Sequence, residues 1–355
     1  MSHDISFLER LLDAPGPSGF EVRPARVWRA EAETFAEKVS VDVGGNSFAT
    51  VNPAGAPRVM LAGHIDEIGL QTTYVDENGF LYIDEIGGWD CQVLVGQRVI
   101  VLGKNGDVPG VVGKKAIHLM SQEDRTKAVK TKKLWVDVGA SSAEEVAELG
   151  IRVGDPMVLD QEMIRLAGDR IVSRAIDNRI GAYVVLEALR LLADSPMAAG
   201  ATAVATAQEE IGHSGGGART SAYVLEPDVA IVVDVTFSTD VPDIEKKELG
   251  DHHIGGGPVL SRGSAAHNAV FEMLAQVAEE EGIPYTLQAS PRSTRTDADA
   301  IYLTRAGVPT GLVSVPNRYM HSPNELVSIS DLRSTAELIA AFVRRLGPGT
   351  DFTPR

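Results

Sequence analysis

The stretch IVSRAIDNRIGAYVVLEALRLLADSPMAAGATAVATAQEE, residues 171–210, decides the fold. It starts with a β-branched run from Ile171 to Ile176, has helical apolar spacing from Asn178 to Leu192, and returns to an apolar run from Ala201 to Ala207. Further strands are predicted at Val229 to Val235 and Thr310 to Val315, and further helices at Ala266 to Glu281 and Ile329 to Leu346. This alternation predicts a mixed, largely parallel sheet flanked by helices, an α/β fold.

A segment with a different pattern interrupts this α/β part. From about Thr72 to Ala167, short strand-like runs alternate with glycine-containing turns, and only the segment near Ala143 to Leu149 has clear helical spacing. This predicts a small inserted β-barrel-like domain. A chain of 355 residues is also too long for one ordinary core. We therefore expect a discontinuous catalytic domain of residues 1–70 and 168–355, and an inserted all-β domain of residues 71–167.

Charge and composition exclude several classes of partner. The formal net charge of −16 repels phosphate backbones and anionic lipids, so we expect neither nucleic acid nor a membrane as partner. No apolar stretch is long enough to span a bilayer and the N-terminus lacks a secretory pattern, so we expect a cytoplasmic protein. The single cysteine, Cys91, excludes an internal disulfide and a cysteine-based metal cluster. Any metal site must therefore use His, Asp and Glu.

Acidic residues and histidines stand where the predicted strands end. In an open parallel sheet, such positions face the ligand-binding cleft. Zinc-type cations bind imidazole and carboxylate, and two of them need roughly five or six ligands plus one free carboxylate as a base. The candidates are His64, Asp66, Asp177, Glu209, Glu210, Asp234 and His321, with His213, His252, His253 and His267 as weaker ones. This set predicts a two-metal hydrolase.

Each candidate also has a purely structural interpretation when it is taken alone. His64 could be a satisfied histidine at a strand end, although Asp66 follows on the same face and could orient its ring. Asp177 precedes a helix and could be its N-cap. Asp234 lies in an apolar run, where a carboxylate needs hydrogen bonds or a metal. The two glutamates after the strand at 201–207 could be surface acids, or could divide metal binding and proton transfer between them.

Taken together and in order, the motifs resemble the M42 family of metallo-aminopeptidases. They are Pro17-Ser18-Gly19-Phe20-Glu21, Gly63-His64-Ile65-Asp66-Glu67-Ile68-Gly69, Arg174-Ala175-Ile176-Asp177-Asn178-Arg179, Gln208-Glu209-Glu210-Ile211-Gly212, Gly256-Gly257-Pro258 and His321-Ser322-Pro323. The resemblance implies one metal on His64, Asp177 and Asp234, and a second on Asp177, Glu210 and His321. It implies Glu209 as the catalytic base and Asp66 as its supporting acid.

The same resemblance implies two divalent ions per subunit, with Zn²⁺ expected and Co²⁺ or Mn²⁺ also compatible with such ligands. It implies short peptides as substrates, and self-association through the inserted domain into a homododecamer or a smaller homo-oligomer. Two other functions fit the ligand set: a metallo-carboxypeptidase or deacylase, which needs a cation for the substrate carboxylate, and a catalytically silent assembly protein of the same fold.

One position departs from the family pattern. Many members carry glycine before the Thr-Asp pair, whereas this chain has Arg295 before Thr296 and Asp297. We expect Arg295 and Asp297 to line the substrate pocket. The added cation would then bias the enzyme toward acidic or polar N-terminal residues, and the alternative is a solvated surface arginine.

Overall fold

The helices and strands form three sheets and the layers that cover them. The computed structural model describes residues 5–212 and 215–354. The strands are β1 (Lys38–Val41), β2 (Ser47–Val51), β3 (Arg58–His64), β4 (Gly69–Val75), β5 (Leu81–Ile86), β6 (Arg98–Gly103), β7 (Gly106–Gly113), β8 (Trp135–Asp137), β9 (Pro156–Leu159), β10 (Ile164–Arg165), β11 (Arg170–Ser173), β12 (Gly200–Thr206), β13 (Val229–Phe237), β14 (Val259–Arg262), β15 (Thr286–Ala289), β16 (Thr310–Asn317) and β17 (Glu325–Ser328). The helices are α1 (Ser6–Asp13), α2 (Val22–Ala32), α3 (Cys91–Leu94), α4 (Gln122–Arg125), α5 (Ala143–Glu148), α6 (Ile176–Ala193), α7 (Gly216–Leu225), α8 (Lys246–Leu249), α9 (Asn268–Glu281), α10 (Asp297–Tyr302) and α11 (Ile329–Arg344).

The largest sheet has eight strands in the order β1-β2-β12-β3-β13-β16-β14-β15. Its four central strands, β12, β3, β13 and β16, run parallel, and the pairs β1–β2, β2–β12 and β14–β16 are antiparallel. Apolar side chains of α1, α2, α6, α9 and α11 cover one face, and those of α7 and α10 cover the other. The prediction of a mixed, largely parallel sheet flanked by helices is confirmed.

Two glycines let α6 lie directly against the centre of this sheet. A Cβ atom on Gly63, in β3, would lie 2.4 Å from the backbone carbon of Gly181. A Cβ on Gly181 would in turn lie 2.6 Å from the carbonyl oxygen of Val233, in β13. Neither position can carry a side chain at this backbone distance. The close approach places the first turn of α6, which contains Asp177, beside the end of β3, which contains His64.

Six strands, β4-β5-β8-β7-β6-β9, close into a separate barrel. The barrel has its own apolar core, which includes Leu81, Val99, Val136 and Met157. The predicted β-barrel-like insertion is thus confirmed as part of the fold. Within the described ranges, no helix is long and apolar enough to cross a membrane.

The segment Ile171 to Ile176 was expected to be a strand of the large sheet, and this expectation is wrong. The strand here, β11, ends at Ser173 and belongs to a small antiparallel sheet with β10 and β17. Its apolar residues Ile171 and Val172 are buried, so a single buried run could not distinguish the two sheets. The range of α6 begins at Ile176, but Asp177 and Asn178 have non-helical dihedral angles, so regular helical geometry begins after Asn178, close to the predicted start. Asp177 therefore reaches the site from the small sheet and the first turn of α6.

Candidate metal centre

The structure brings the predicted metal ligands together at one end of the large sheet. His64 ends β3, Glu209 and Glu210 follow β12, Asp234 lies in β13, and His321 follows β16. Asp177 joins them from α6. All six side chains line one cavity of about 910 Å³. Asp66 is fully buried and lies next to His64. The ligand atoms form two groups, each within 4.8 Å, and Asp177 belongs to both: His64 with Asp177 and Asp234, and Asp177 with Glu210 and His321.

Asp177 has its two carboxylate oxygens on different partners. Oδ1 lies 3.2 Å from Nε2 of His64, and Oδ2 lies 3.4 Å from Nε2 of His321. The residue is 8% exposed, and the N-cap position of α6 is Ala175 rather than Asp177. The carboxylate thus faces both ligand groups, as a bridging ligand does.

The second ligand group is held from several directions. Nε2 of His321 lies 3.4 Å from Oε2 of Glu210, and Nδ1 lies 2.7 Å from the carbonyl oxygen of Gly88. If Nδ1 carries the proton and donates it to that carbonyl, Nε2 is unprotonated and has the free lone pair that a metal requires. Glu210 Oε1 is buried and has no hydrogen-bond partner among the residues that the structure describes. An unpartnered buried carboxylate oxygen beside an imidazole nitrogen suits a cation.

Asp66 holds the first ligand group and the glutamate segment together. Its Oδ1 lies 3.3 Å from Nδ1 of His64, although the ring N–H is poorly aligned for a hydrogen bond. Oδ1 also accepts the backbone N–H of Glu209 at 3.2 Å, and Oδ2 accepts that of Glu210 at 3.0 Å. The hydroxyl of Ser18 donates to Oδ2 as well. One buried carboxylate therefore positions a ligand, the candidate base and the next ligand.

Glu209 differs from the ligand carboxylates in its position. Its side chain is 18% exposed, and Oε2 lies 3.8 Å from Nε2 of His64. Burial raises the pKa of Glu209 to about 10; the His64 charge opposes that rise, and the charges of Asp234, Asp297 and Glu210 add to it. Glu209 therefore lies at the cavity wall, beside the ligands but outside both ligand groups.

The electrostatics of the site fit bound cations. Burial raises the pKa of Asp234 well above its usual range and that of Glu210 to about 7, and the Asp177 charge adds to both shifts. The burial of His321 alone would lower its pKa, but hydrogen bonds to Asp177 and Glu210 outweigh this and raise it to about 11. The carboxylates are crowded enough to retain protons, and the imidazole gains one. Both shifts indicate that the site lacks positive charge. Divalent cations would supply that charge.

The two expected pocket residues also line the cavity. Arg295 is exposed, has a left-handed φ of 59°, and donates its backbone N–H to Asp299. Among the described residues it has no ion-pair partner. Asp297 is 3% exposed, and its carboxylate accepts a hydrogen bond from the Thr206 hydroxyl. The two residues thus differ: one is a free cation at the rim, and the other a buried acid at the wall.

Three of the four weaker histidine candidates lie within the described residues, and these three do not join the site. His252 is buried, and its ring nitrogens contact the Thr286 hydroxyl and the Leu249 carbonyl. His253 pairs with Asp251 at the surface, and the His267 ring packs edge-on against Phe352. His213 lies outside the described residues. The three described rings therefore have structural surroundings.

Sequence reasoning missed three carboxylates that bind backbone amides or arginines next to the candidate ligands. Glu325 accepts the backbone N–H groups of Asp177 and His321, each at 2.8 Å. Glu21 accepts the N–H of Gln208 at 3.1 Å. Glu67 forms buried ion pairs with Arg174 and Arg179. Glu21 and Glu67 lie within recognised motifs, and that position was their only signal in the sequence. Glu325 lies two residues beyond its motif and had none.

Comparison with known proteins finds relatives in sequence and in structure. The sequence profile described as M42 glutamyl aminopeptidase matches residues 45–338, a range that contains every metal-ligand candidate. The chain is 35% identical over 353 residues to the lysyl aminopeptidase of Pyrococcus furiosus, with 99% of each chain covered. The solved TET aminopeptidase of a Thaumarchaeota archaeon from marine sediment has a TM-score of 0.92 at 34% identity, covering 97% of this chain and 96% of that chain. The TET1 peptidase of Pyrococcus horikoshii, which can assemble into a tetrahedron or a large octahedral shell, has a TM-score of 0.85 at 30% identity, covering 96% and 99%.

Proposed function

Because this chain belongs to the M42 glutamyl aminopeptidase family, we propose that it removes N-terminal residues from short peptides with the aid of two divalent cations. The observation that carries the proposal is the position of Asp177, which has one oxygen beside each ligand group. His64 and Asp234 complete one group, and Glu210 and His321 complete the other. Such mixed imidazole and carboxylate groups suit Zn²⁺ and also accept Co²⁺ or Mn²⁺.

Bound cations would supply a lowered pKa for water and polarisation of the scissile carbonyl. The protein itself moves the proton. Glu209 lies at the cavity wall with its carboxylate outside both ligand groups, so it can take a proton from the attacking water and deliver it to the leaving amine. Asp66 accepts the Glu209 backbone N–H and lies 3.3 Å from Nδ1 of His64, so it can hold the base beside the first ligand group.

The substitution Glu209→Gln tests the assignment of the base. It should leave both metals bound and reduce kcat by roughly 10²- to 10⁴-fold, the usual contribution of a positioned acid–base group. Glu210→Gln is the matched comparison, since it alters a ligand and should lower metal content. Elemental analysis and hydrolysis of aminoacyl anilides would measure both effects. Near-normal turnover by Glu209→Gln would remove it as the base.

A metallo-carboxypeptidase or deacylase is the second candidate function. It requires a cation for the substrate carboxylate, and two arginines, Arg219 and Arg295, line the cavity. Paired substrates with a free or an acetylated N-terminal amine separate the functions. An aminopeptidase cleaves only the substrate with the free amine, and a deacylase prefers the acetylated substrate. A protein that binds metal and cleaves neither would be a silent assembly protein.

We also propose that Arg295 and Asp297 belong to the substrate pocket. Arg295 supports this because it lines the cavity without an ion-pair partner among the described residues. Its charge should favour glutamyl over leucyl substrates. Arg295→Ala should therefore reduce the ratio of glutamyl to leucyl turnover. Arg292→Ala, a change to an exposed arginine three residues earlier, is the control. Equal glutamyl-to-leucyl ratios in wild type and Arg295→Ala would contradict the role.

Self-association through the inserted domain, residues 71–167, is proposed from two observations. The TET1 relative assembles into closed shells. The inserted segment exposes large apolar side chains, among them Tyr74, Val111, Ile117 and Leu119. We expect a homododecamer or a smaller homo-oligomer acting on peptides in the cytoplasm, with residues 1–70 and 168–355 as the catalytic domain. Light scattering would give the number of subunits, and a monomer at micromolar concentration would contradict the proposal.

A further inference from the structure

Glu325 links the two segments that carry the bridging and terminal ligands of one metal group. Its Oε2 accepts the backbone N–H of Asp177, and its Oε1 accepts that of His321, each at 2.8 Å. The residue is 2% exposed. In the described part of the chain it forms no ion pair with a lysine or arginine. A buried carboxylate held mainly by amides is costly for stability, and such residues are retained most often at functional sites.

Both amides belong to irregular backbone that no sheet or helix satisfies. His321 has a left-handed φ of 59° in the loop between β16 and β17. Backbone hydrogen bonds between Arg318 and Leu326 close that loop at its base. Ala175, two residues before Asp177, also has a left-handed φ, of 61°. Without an acceptor, the buried Asp177 amide and the part-buried His321 amide would each be an unsatisfied donor.

The small sheet explains how one side chain reaches both segments. Glu325 begins β17 and pairs in register with Ser173, the last residue of β11. The chain after Ser173 continues to Asp177, and the chain before Glu325 contains His321. Glu325 thus stands where the two strands bring these segments together, and its two oxygens span them.

We infer that Glu325 is a positioning residue for the metal group formed by Asp177, Glu210 and His321. This inference rests on the proposed two-cation function. Glu325 contacts the backbone of two of the three residues in that group, but of only one, Asp177, in the group with His64 and Asp234. Loss of one of these two hydrogen bonds should therefore weaken cation binding by Asp177, Glu210 and His321 more than cation binding by His64, Asp177 and Asp234. Outer carboxylates that orient metal ligands commonly contribute 10- to 100-fold to metal affinity.

The substitution Glu325→Gln tests this directly. The carboxamide keeps the shape but can accept only through its oxygen, so one of the two amides loses its acceptor. Asp331→Asn is a matched control. Asp331 is 1% exposed, and its two oxygens accept the N–H groups of Gly255 and Gly257 at 2.7 and 2.8 Å. It lies on no ligand segment, so its substitution should leave both metal groups intact.

The measurement is equilibrium dialysis of chelator-stripped protein against Zn²⁺, with metal content determined by elemental analysis. Wild type and Asp331→Asn should each bind two ions per chain. Glu325→Gln should bind one ion with wild-type affinity and a second one 10- to 100-fold more weakly. Co²⁺ absorption spectra taken during titration would identify the weakened site by its altered ligand field.

Three results would overturn the inference: two ions bound by Glu325→Gln with wild-type affinities, equal weakening of both ions, or the same defect in Asp331→Asn. If Glu325→Gln fails to fold, Glu325→Asp keeps the charge but shortens the reach, and should show the same selective loss. A wild type that binds fewer than two ions would instead contradict the proposed two-cation function, so the two failures are distinguishable.

Discussion

Replacement of Glu67 by glutamine should destabilise the folded chain strongly. The Glu67 side chain is 3% exposed, and its oxygens pair with the guanidinium groups of Arg174 and Arg179, which are 6% and 0% exposed. The backbone N–H of Gly16 donates to the same carboxylate at 3.0 Å. Glutamine keeps the volume but leaves two buried cations without a counter-charge.

The size of the effect follows from this burial. Removal of one partner from a buried ion pair costs about 3–5 kcal/mol. Arg179 also donates to four backbone carbonyls near the N-terminus and to that of Ile65, so its charge stays partly compensated, and we do not double the figure for two arginines. At about 2–4 °C per kcal/mol for large domains, Tm should fall by roughly 6–20 °C.

Thermal and urea unfolding at pH 7, followed by circular dichroism, would measure the loss. Glu123→Gln, which breaks an exposed pair with Lys127, is the control and should change stability by less than about 0.5 kcal/mol. A loss below about 1 kcal/mol for Glu67→Gln would refute the reasoning from burial.

Acid provides an independent check on the Glu67 charge. Burial alone would raise the pKa of Glu67, but Arg174 and Arg179 outweigh it and lower the pKa below its ordinary 4.5. Because the folded pKa is the lower one, this stabilisation is complete above the unfolded value and is lost as pH falls through the folded value. The stability difference between wild type and Glu67→Gln should therefore narrow below pH 4.5. A constant difference from pH 7 to pH 3 would contradict the charge argument.

Other perturbations test the site and its scaffold. Asp66→Asn should lower kcat by roughly 10- to 100-fold because the His64 ring and the glutamate amides lose their charged acceptor, and unchanged kinetics would exclude that role. Gly181→Ala should destabilise the fold by about 1–3 kcal/mol, since its Cβ would lie 2.6 Å from the Val233 oxygen, whereas Gly347→Ala meets nothing within 4 Å and is the control for unfolding experiments. Chelation should lower Tm, because each ion held at 100 times its Kd stabilises the folded chain by about 2.7 kcal/mol. Addition of Zn²⁺, Co²⁺ or Mn²⁺ should restore the Tm. An unchanged Tm after chelation would argue against stabilisation of the folded chain by bound cations.

The parts of the fold that sequence could predict are those with a strong local pattern. The runs of β12, β13 and β16 are rich in apolar residues, two glutamates follow shortly after β12, and Asp234 interrupts β13. The helix after Asn178 has clear periodicity. The short strand β11 lacked such a signal. Its three buried residues, Ile171 to Ser173, form a run that suits either sheet, and their partners in β17 lie more than 150 residues away. Pairing over that distance depends on tertiary packing, which local patterns do not encode.

The same contrast separates the ligands from the residues that hold them. Histidines and aspartates are residue types that bind metals, so several of them at strand ends indicate metal chemistry together even though each one alone does not. Glu325 and Glu67 are also acids, but what they do depends on which amide or guanidinium the fold places beside them. Residue type does not distinguish a buried acceptor of backbone amides from a solvated glutamate. Only the burial and the partners make that distinction.

The corrected placement of Asp177 has a consequence for the metal pair. Had its strand belonged to the large sheet, Asp177 and the other ligands would share one rigid scaffold. Instead the backbone amides of Asp177 and His321 meet at Glu325 in the small sheet, while His64 and Asp234 stand on the large one. The proposed bridging carboxylate would therefore span two structural units, and the spacing between the two candidate ligand groups would depend on how α6 packs against β3. That contact is made by Gly63 and Gly181, where no side chain fits, so backbone packing would set the geometry of the proposed metal centre.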